Sequence, residues 1–182
     1  MRHLLLLFIL IFSQQFLLSQ QFYTDKGVTK FDGSKAAFEP IKANNNNTVS
    51  IIDLSTGQIA AVILISDFDF RLGLMQEHFN ENYLESNVYP KSTFEGQIKN
   101  FSLKELTQDF KEHEIKGVLT IKGVNNDIIT KAKIRKIDEK IELSSGFSVM
   151  LSDYKVKIPK IVFKKIDEEV KINLNFVYER KQ

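Results

Sequence analysis

The chain has 182 residues, enough for one domain with a single sizeable core. Hydrophobic residues make up 43% and charged residues 26%, which excludes a disordered or fibrous chain. The net charge of +2 gives no case for nucleic acid or an anionic membrane as the main partner. Cysteine is absent, so disulfides, thiol chemistry and lipid attachment through an N-terminal cysteine are all excluded.

Residues 1–20 differ from the rest. Arg2 and His3 precede nine unbroken apolar residues, Leu4–Phe12, and small Ser19 lies just before Gln20-Gln21. This pattern predicts a secretory signal peptide, with a mature domain over 21–182. The apolar run falls short of the roughly 20 residues that span a bilayer. Such a leader points to a protein secreted across the inner membrane, in the periplasm, and not membrane-spanning.

Alternation predicts a first strand over Phe22–Asp32, with Gly33-Ser34 as a turn, and a second over Ala36–Ala43 with Pro40 inside it. The run Asn44–Asn47 reads as a loop. Val49–Leu54, the turn Ser55-Thr56-Gly57 and a long strand Gln58–Phe70 form a hairpin. From Leu72 the period changes: Leu72, Met75, Phe79 and Tyr83 recur three and four apart, as on one face of a helix. Asn87 and Pro90 end that helix.

Beyond Pro90 the apolar residues alternate. Stripes run through Phe94–Ile98, Leu119–Ile121, Ile128–Ile134 and Phe147–Leu151. The last is Val170, Ile172, Leu174, Phe176 and Tyr178. Turns are expected at 125–127, 138–140 and 144–146. Residues 103–114 and Pro159–Ile166 read as helical turns or loops. The fold class is therefore all-β. About eight antiparallel strands with one apolar face each favour a closed up-and-down barrel with one amphipathic helix.

Three stretches carry a family resemblance. The first comprises Leu74-Met75-Gln76-Glu77-His78-Phe79, Tyr89-Pro90 and Phe94-Glu95-Gly96. The second is Gly117-Val118-Leu119-Thr120-Ile121-Lys122-Gly123-Val124, and the third joins Phe147-Ser148-Val149 to Ser152-Asp153-Tyr154. Together they resemble the YceI-like family of exported, lipocalin-like proteins, often labelled polyisoprenoid-binding. The resemblance implies a lipid-like ligand held inside the barrel. Phe79 and Tyr83, spaced by four, depart from the family's usual aromatic pairing near the proline, and the lipocalin Gly-x-Trp start is absent.

An isoprenoid or acyl chain asks for a long apolar slot with a polar group near its mouth. The candidate wall is Phe68, Phe70, Leu72, Met75, Phe79, Tyr83 and Phe94. No catalytic residue set, cofactor motif or metal site stands out. His78 and His113 are too few, and Glu77 and His78 point about 100° apart on a helix. The expected function is binding of a long-chain amphiphilic lipid without turnover. Two alternatives stay open: a solid barrel serving as a structural or interaction module, or a small hydrolase or isomerase using Asp67 and Asp69. Pairing of two copies through an exposed edge strand also stays open.

Overall fold

A computed structural model describes residues 21–181, except 36–37, 103, 105 and 160–164. The expected signal peptide and most of Pro159–Ile166 lie outside the described residues.

Nine strands follow in chain order: β1 (Gln21–Ser34), β2 (Lys42–Asp53), β3 (Gln58–Leu64), β4 (Asp69–Phe70), β5 (Lys91–Ile98), β6 (Lys111–Ile121), β7 (Val124–Ile137), β8 (Lys140–Met150) and β9 (Ile166–Arg180). The sheet order is β1-β9-β8-β7-β6-β5-β3-β2, and β2 pairs back onto β1. Eight strands thus close an antiparallel barrel, as expected, and β4 is a short extra strand on β2. Among the described residues the single α-helix, α1 (Gly73–His78), opens into a wider π-type turn over Phe79–Tyr83, where Leu84 N–H donates to Phe79 C=O at 3.0 Å.

The alternating stripes bury their apolar face inward, most completely at the end of the barrel where β1 begins. Phe22, Ile52, Leu54, Ile98, Ile134, Ile141 and Tyr178 pack there into a solid floor. Burial drives the Tyr178 phenol far above its ordinary pKa and keeps it neutral. Its hydroxyl donates to Ser50 Oγ at 2.9 Å, and Ser50 Oγ donates to Ala60 C=O at 2.8 Å. His113, also buried and inward-facing, lies beside the Phe101 ring with no hydrogen-bond partner for Nε2 among the described residues.

Several expected boundaries move. The asparagine run is strand, not loop, because β2 starts at Lys42 and carries Asn44–Asn47 along β1. Asn45 is completely buried: its Nδ2 donates to Leu64 C=O at 3.1 Å, and its Oδ1 accepts from Asn47 N–H at 2.9 Å. Thr48 Oγ1 adds a contact to Asn45 Oδ1 and lies 2.7 Å from Thr29 Oγ1. Buried Asn45 is accepted in the strand because each of its amide groups finds a hydrogen-bond partner. Pro40 and the described part of Ala36–Ala43 before Lys42 lie outside the strand.

The long strand Gln58–Phe70 breaks at Ile65, where a 3-10 turn over Ile65–Asp67 turns the chain back so that β4 can pair with Ala43 and Asn44. The β6–β7 turn is Lys122-Gly123, both with positive φ of 50° and 72°, as a two-residue hairpin of this twist requires. Residues 125–127 therefore belong to β7. Ser144–Gly146 continue β8 in register with β9, and residues 111–114 are strand.

Candidate functional site: an apolar cavity under an aromatic plug

Above the solid floor the barrel holds a cavity of about 130 Å³. By water-sized groups that is room for a column of roughly ten. Its wall is almost wholly apolar; Thr29, Ser92, Thr93, Thr130 and Ser145 are among its few polar members.

Space is kept open because two large rings are laid flat against the wall. Phe94 stands on β5, with Gly96 two residues on and Gly117 opposite Gly96 on β6. A Cβ at Gly96 would sit 2.5 Å from Phe94 Cζ, and one at Gly117 2.6 Å from the same atom. Only glycine leaves the backbone bare enough for the ring to lie there. Phe176 uses Gly27 in the same way, since a Cβ at Gly27 would meet its ring at 2.6 Å. Gly27 lies at a register shift in the β1–β2 pairing.

Four phenylalanines plug the upper end. Phe79 packs 4.9 Å from Phe70, 5.4 Å from Phe68 and 5.5 Å from Phe31, centroid to centroid. These are favourable tilted and edge-on distances. The helical face from α1 into the π-type turn thus serves to drive Phe79 down onto β1 and β4. Tyr154 and Val156, after β8, close the rim beside them. Burial raises the pKa of Tyr154, while a hydrogen bond with Asn126 partly offsets the shift.

Of the seven residues predicted from sequence, Phe68, Phe79 and Phe94 line the cavity. Phe70 is buried in the plug. Met75 and Tyr83 pack partly buried against the upper core, and burial raises the pKa of Tyr83. Leu72 stands 38% exposed at the start of α1. Phe31, Tyr154, Phe176 and the threonines of the wall were not singled out. Alternation put Phe176 in the last apolar stripe, but it says nothing about height within a barrel.

Asp67 and Asp69 lie outside the cavity: Asp67 accepts from Asn47 Nδ2 at 3.2 Å and Asp69 is exposed. Acid-base work on a bound molecule has no geometry there. Among the described residues no three acidic or histidine side chains gather as a metal site, and no helix is long and apolar enough to cross a membrane.

The sequence profile of the YceI-like domain matches residues 20–178. The chain belongs to the YceI-like family. Among solved structures, this YceI-like barrel is similar to a polyisoprenoid binding domain from Saccharophagus degradans implicated in plant cell wall breakdown. That likeness has a TM-score of 0.78 at 13% identity and covers 90% of this chain and 99% of that one. BcnA of Burkholderia cenocepacia is similar at TM-score 0.68 and 16% identity, over 82% of this chain and 95% of BcnA. The YCEI protein of Campylobacter jejuni follows at 0.65 and 18%, over 81% and 90%. At these identities the likeness establishes the fold. No curated protein matches the chain.

The family's recurrent motifs meet in space in this YceI-like barrel. Phe94-Glu95-Gly96 and Gly117 form one wall through the ring-on-glycine contact. Gly123, with positive φ, packs under the ring of Tyr89, at 2.8 Å for a built Cβ. Asn126 donates to Asp153 C=O at 2.9 Å and so ties the late Ser-Asp-Tyr turn to β7.

Proposed function

We propose that this YceI-like protein is an exported binding protein that holds the tail of a single-chain, isoprenoid-like or acyl amphiphile in the barrel and does not turn it over. The observation that carries this reading is the apolar cavity of about 130 Å³ beneath the Phe79 plug. Roughly ten buried carbons at about 0.8 kcal/mol each give about 8 kcal/mol before association costs of several kcal/mol. The remainder, about 4 kcal/mol, corresponds to binding on the order of millimolar from the tail alone, before any contact made by the head. The description of a structural neighbour as a polyisoprenoid binding domain supports the same ligand class.

Binding without turnover is supported by the lining of the cavity, which is hydrocarbon with a few hydroxyls. Export is supported by residues 1–20. Native mass spectrometry of gently purified protein tests the binding: a co-purified lipid is expected. Apo protein that takes up no prenyl or acyl probe would refute it. N-terminal sequencing of the mature protein tests export, with a start near Gln20 or Gln21 expected.

A further inference from the structure

A closed barrel needs every strand paired along its length; the β1–β9 ladder is interrupted between Tyr23 and Val28 and then resumes, and in two further places a ladder stops short. The first lies between β2 and β3, whose pairing ends at Val49 and Val62. It is sealed: β4 pairs with Ala43 and Asn44, and Asn45 reaches across to Leu64 C=O. The second lies between β7 and β8. Their pairing runs only from Ile137–Lys140 to Ala132–Ser145. Above that, β7 continues to Val124 paired with β6, and β8 continues to Met150 paired with β9, with no ladder between them.

The second split has a sill and a lintel. Below, Ser145 Oγ donates to Lys131 C=O at 2.8 Å and lies 3.3 Å from Thr130 Oγ1. Above, Asn126 Nδ2 donates to Asp153 C=O at 2.9 Å. Between Asn126 and Lys131 lie residues 127–130, about 16 Å of strand from one to the other. The inward-facing side chains beside this window, Ile128, Thr130, Ser145 and Phe147, line the cavity yet are only half-buried. Ile63, Phe94 and Ile121, on other parts of the cavity wall, are half-buried as well. Outside the sill is a polar depression formed by Glu112, Lys131, Lys133, Ser144, Asn173 and Asn175, which shares Ser145 and Leu174 with the cavity. Lys131 is paired there with Glu112 at 2.7 Å.

We infer that the barrel is loaded from its side: the window between β7 and β8 is the portal through which the hydrocarbon tail enters, and the polar head stays outside against the depression at Lys131, Lys133 and Asn173. This rests on the lipid-binding reading above. The Phe79 plug then need not open during exchange. A tail threading the window meets hydrocarbon and hydroxyls only, and the head never has to be desolvated.

The absence of cysteine permits a clean test. Ile129 and Ser148 are outward-facing and would be opposite each other if the ladder continued, so Ile129→Cys/Ser148→Cys can tie the window shut. Uptake of a dansyl-labelled farnesyl phosphate is followed by fluorescence in stopped flow. Reduced protein is expected to load at the wild-type rate, oxidised protein at least tenfold more slowly, and re-reduction restores the rate. Equal rates in both states overturn the portal while leaving lipid binding intact. No uptake by wild-type or reduced protein overturns the lipid reading, and the portal with it. If the disulfide does not close, outward-facing Ile129→Cys capped with a bulky maleimide provides the block, against Val88→Cys capped identically in the loop after the helix. Slowing at position 129 alone supports the portal; slowing at position 88, or at neither, overturns it.

Discussion

The Phe94 ring rests on the bare backbone of Gly117, one strand away, so closely that a methyl group at Gly117 would stand 2.6 Å from Cζ and 2.4 Å from Glu95 C=O. Gly117→Ala therefore has two effects. The backbone of β5 and β6 must separate slightly, costing roughly 1–3 kcal/mol. The ring must also swing inward and occupy the cavity. Thermal melting is expected to show the loss of stability, and titration with a prenyl probe a fall in affinity larger than stability alone explains. Phe94→Ala should do the opposite to the cavity, admitting bulkier tails.

Asn45 is a structural keystone of the β2–β3 gap. Asn45→Ala leaves Leu64 C=O and Asn47 N–H without their partner. Leu64 and Asn47 are exposed, so the cost is that of two hydrogen bonds at about 0.5–1.5 kcal/mol each, and a loss of roughly 1–3 kcal/mol is expected by denaturant titration. Asn46→Ala, an exposed neighbour in the same run, should cost almost nothing.

The size of the cavity sets a chain-length limit. In a homologous series of alkyl phosphates, affinity should rise about three- to fourfold per methylene, at ~0.8 kcal/mol each, until the tail fills the slot at roughly ten carbons. Beyond that the increment should collapse. Calorimetry on the series reads this directly, and Phe79→Ala should move the break to longer chains by removing the centre of the plug.

Two carboxylates link stability to acid. The Ser55 hydroxyl and the N–H groups of Ser55 and Thr56 hold Asp53 below its ordinary pKa, against a smaller opposing effect of burial. At Asp32 burial pushes the carboxyl up, but hydrogen bonds from Ser34 and the 3.0 Å ion pair with Lys42 together outweigh it. Both folded-state pKa values are depressed, so their stabilisation is fully present above about pH 4 and is lost as pH falls through the folded values. Both groups are largely solvated, so each contributes roughly a few tenths of a kcal/mol. Asp32→Asn/Asp53→Asn should flatten the acid limb of the melting-temperature profile without changing its neutral plateau by more than that.

The hydrogen-bond chain in the floor predicts an asymmetry. Tyr178→Phe leaves Ser50 still bonded to Ala60 C=O and should cost about 1 kcal/mol. Ser50→Ala leaves the buried Tyr178 hydroxyl unpartnered, while Ala60 stays paired in the sheet, and should cost roughly 1–3 kcal/mol. The two denaturant midpoints side by side decide it.

Period-two alternation made most of the barrel legible: the stripe Val170–Tyr178 faces inward along its whole length, as read from sequence. The change of period at Leu72 marked the helix. What alternation could not show was pairing across strands. Asn44–Asn47 has turn-like composition, and only the buried partners of Asn45 make it strand. The break at Ile65 is invisible because Ile59–Ile65 is apolar on both faces. The window between β7 and β8 leaves no trace in either strand taken alone. Phe68, Phe79 and Phe94 were marked by proximity to the helix, whereas Phe31 and Phe176 come from distant strands and join the site only when the barrel closes.

That closure has a kinetic consequence. Phe22 pairs with Arg180 and Tyr23 with Glu179, so the first and last described strands are neighbours. No subset of the chain short of β9 can shut the ring, and the loop that must be closed spans nearly the whole domain. Contacts so distant in sequence are won late and slowly, on the millisecond-to-second scale typical of non-local β topologies. Until then β1 and β8 remain open edges, and a chaperone that shields them would act at the step where this protein is most exposed to self-association.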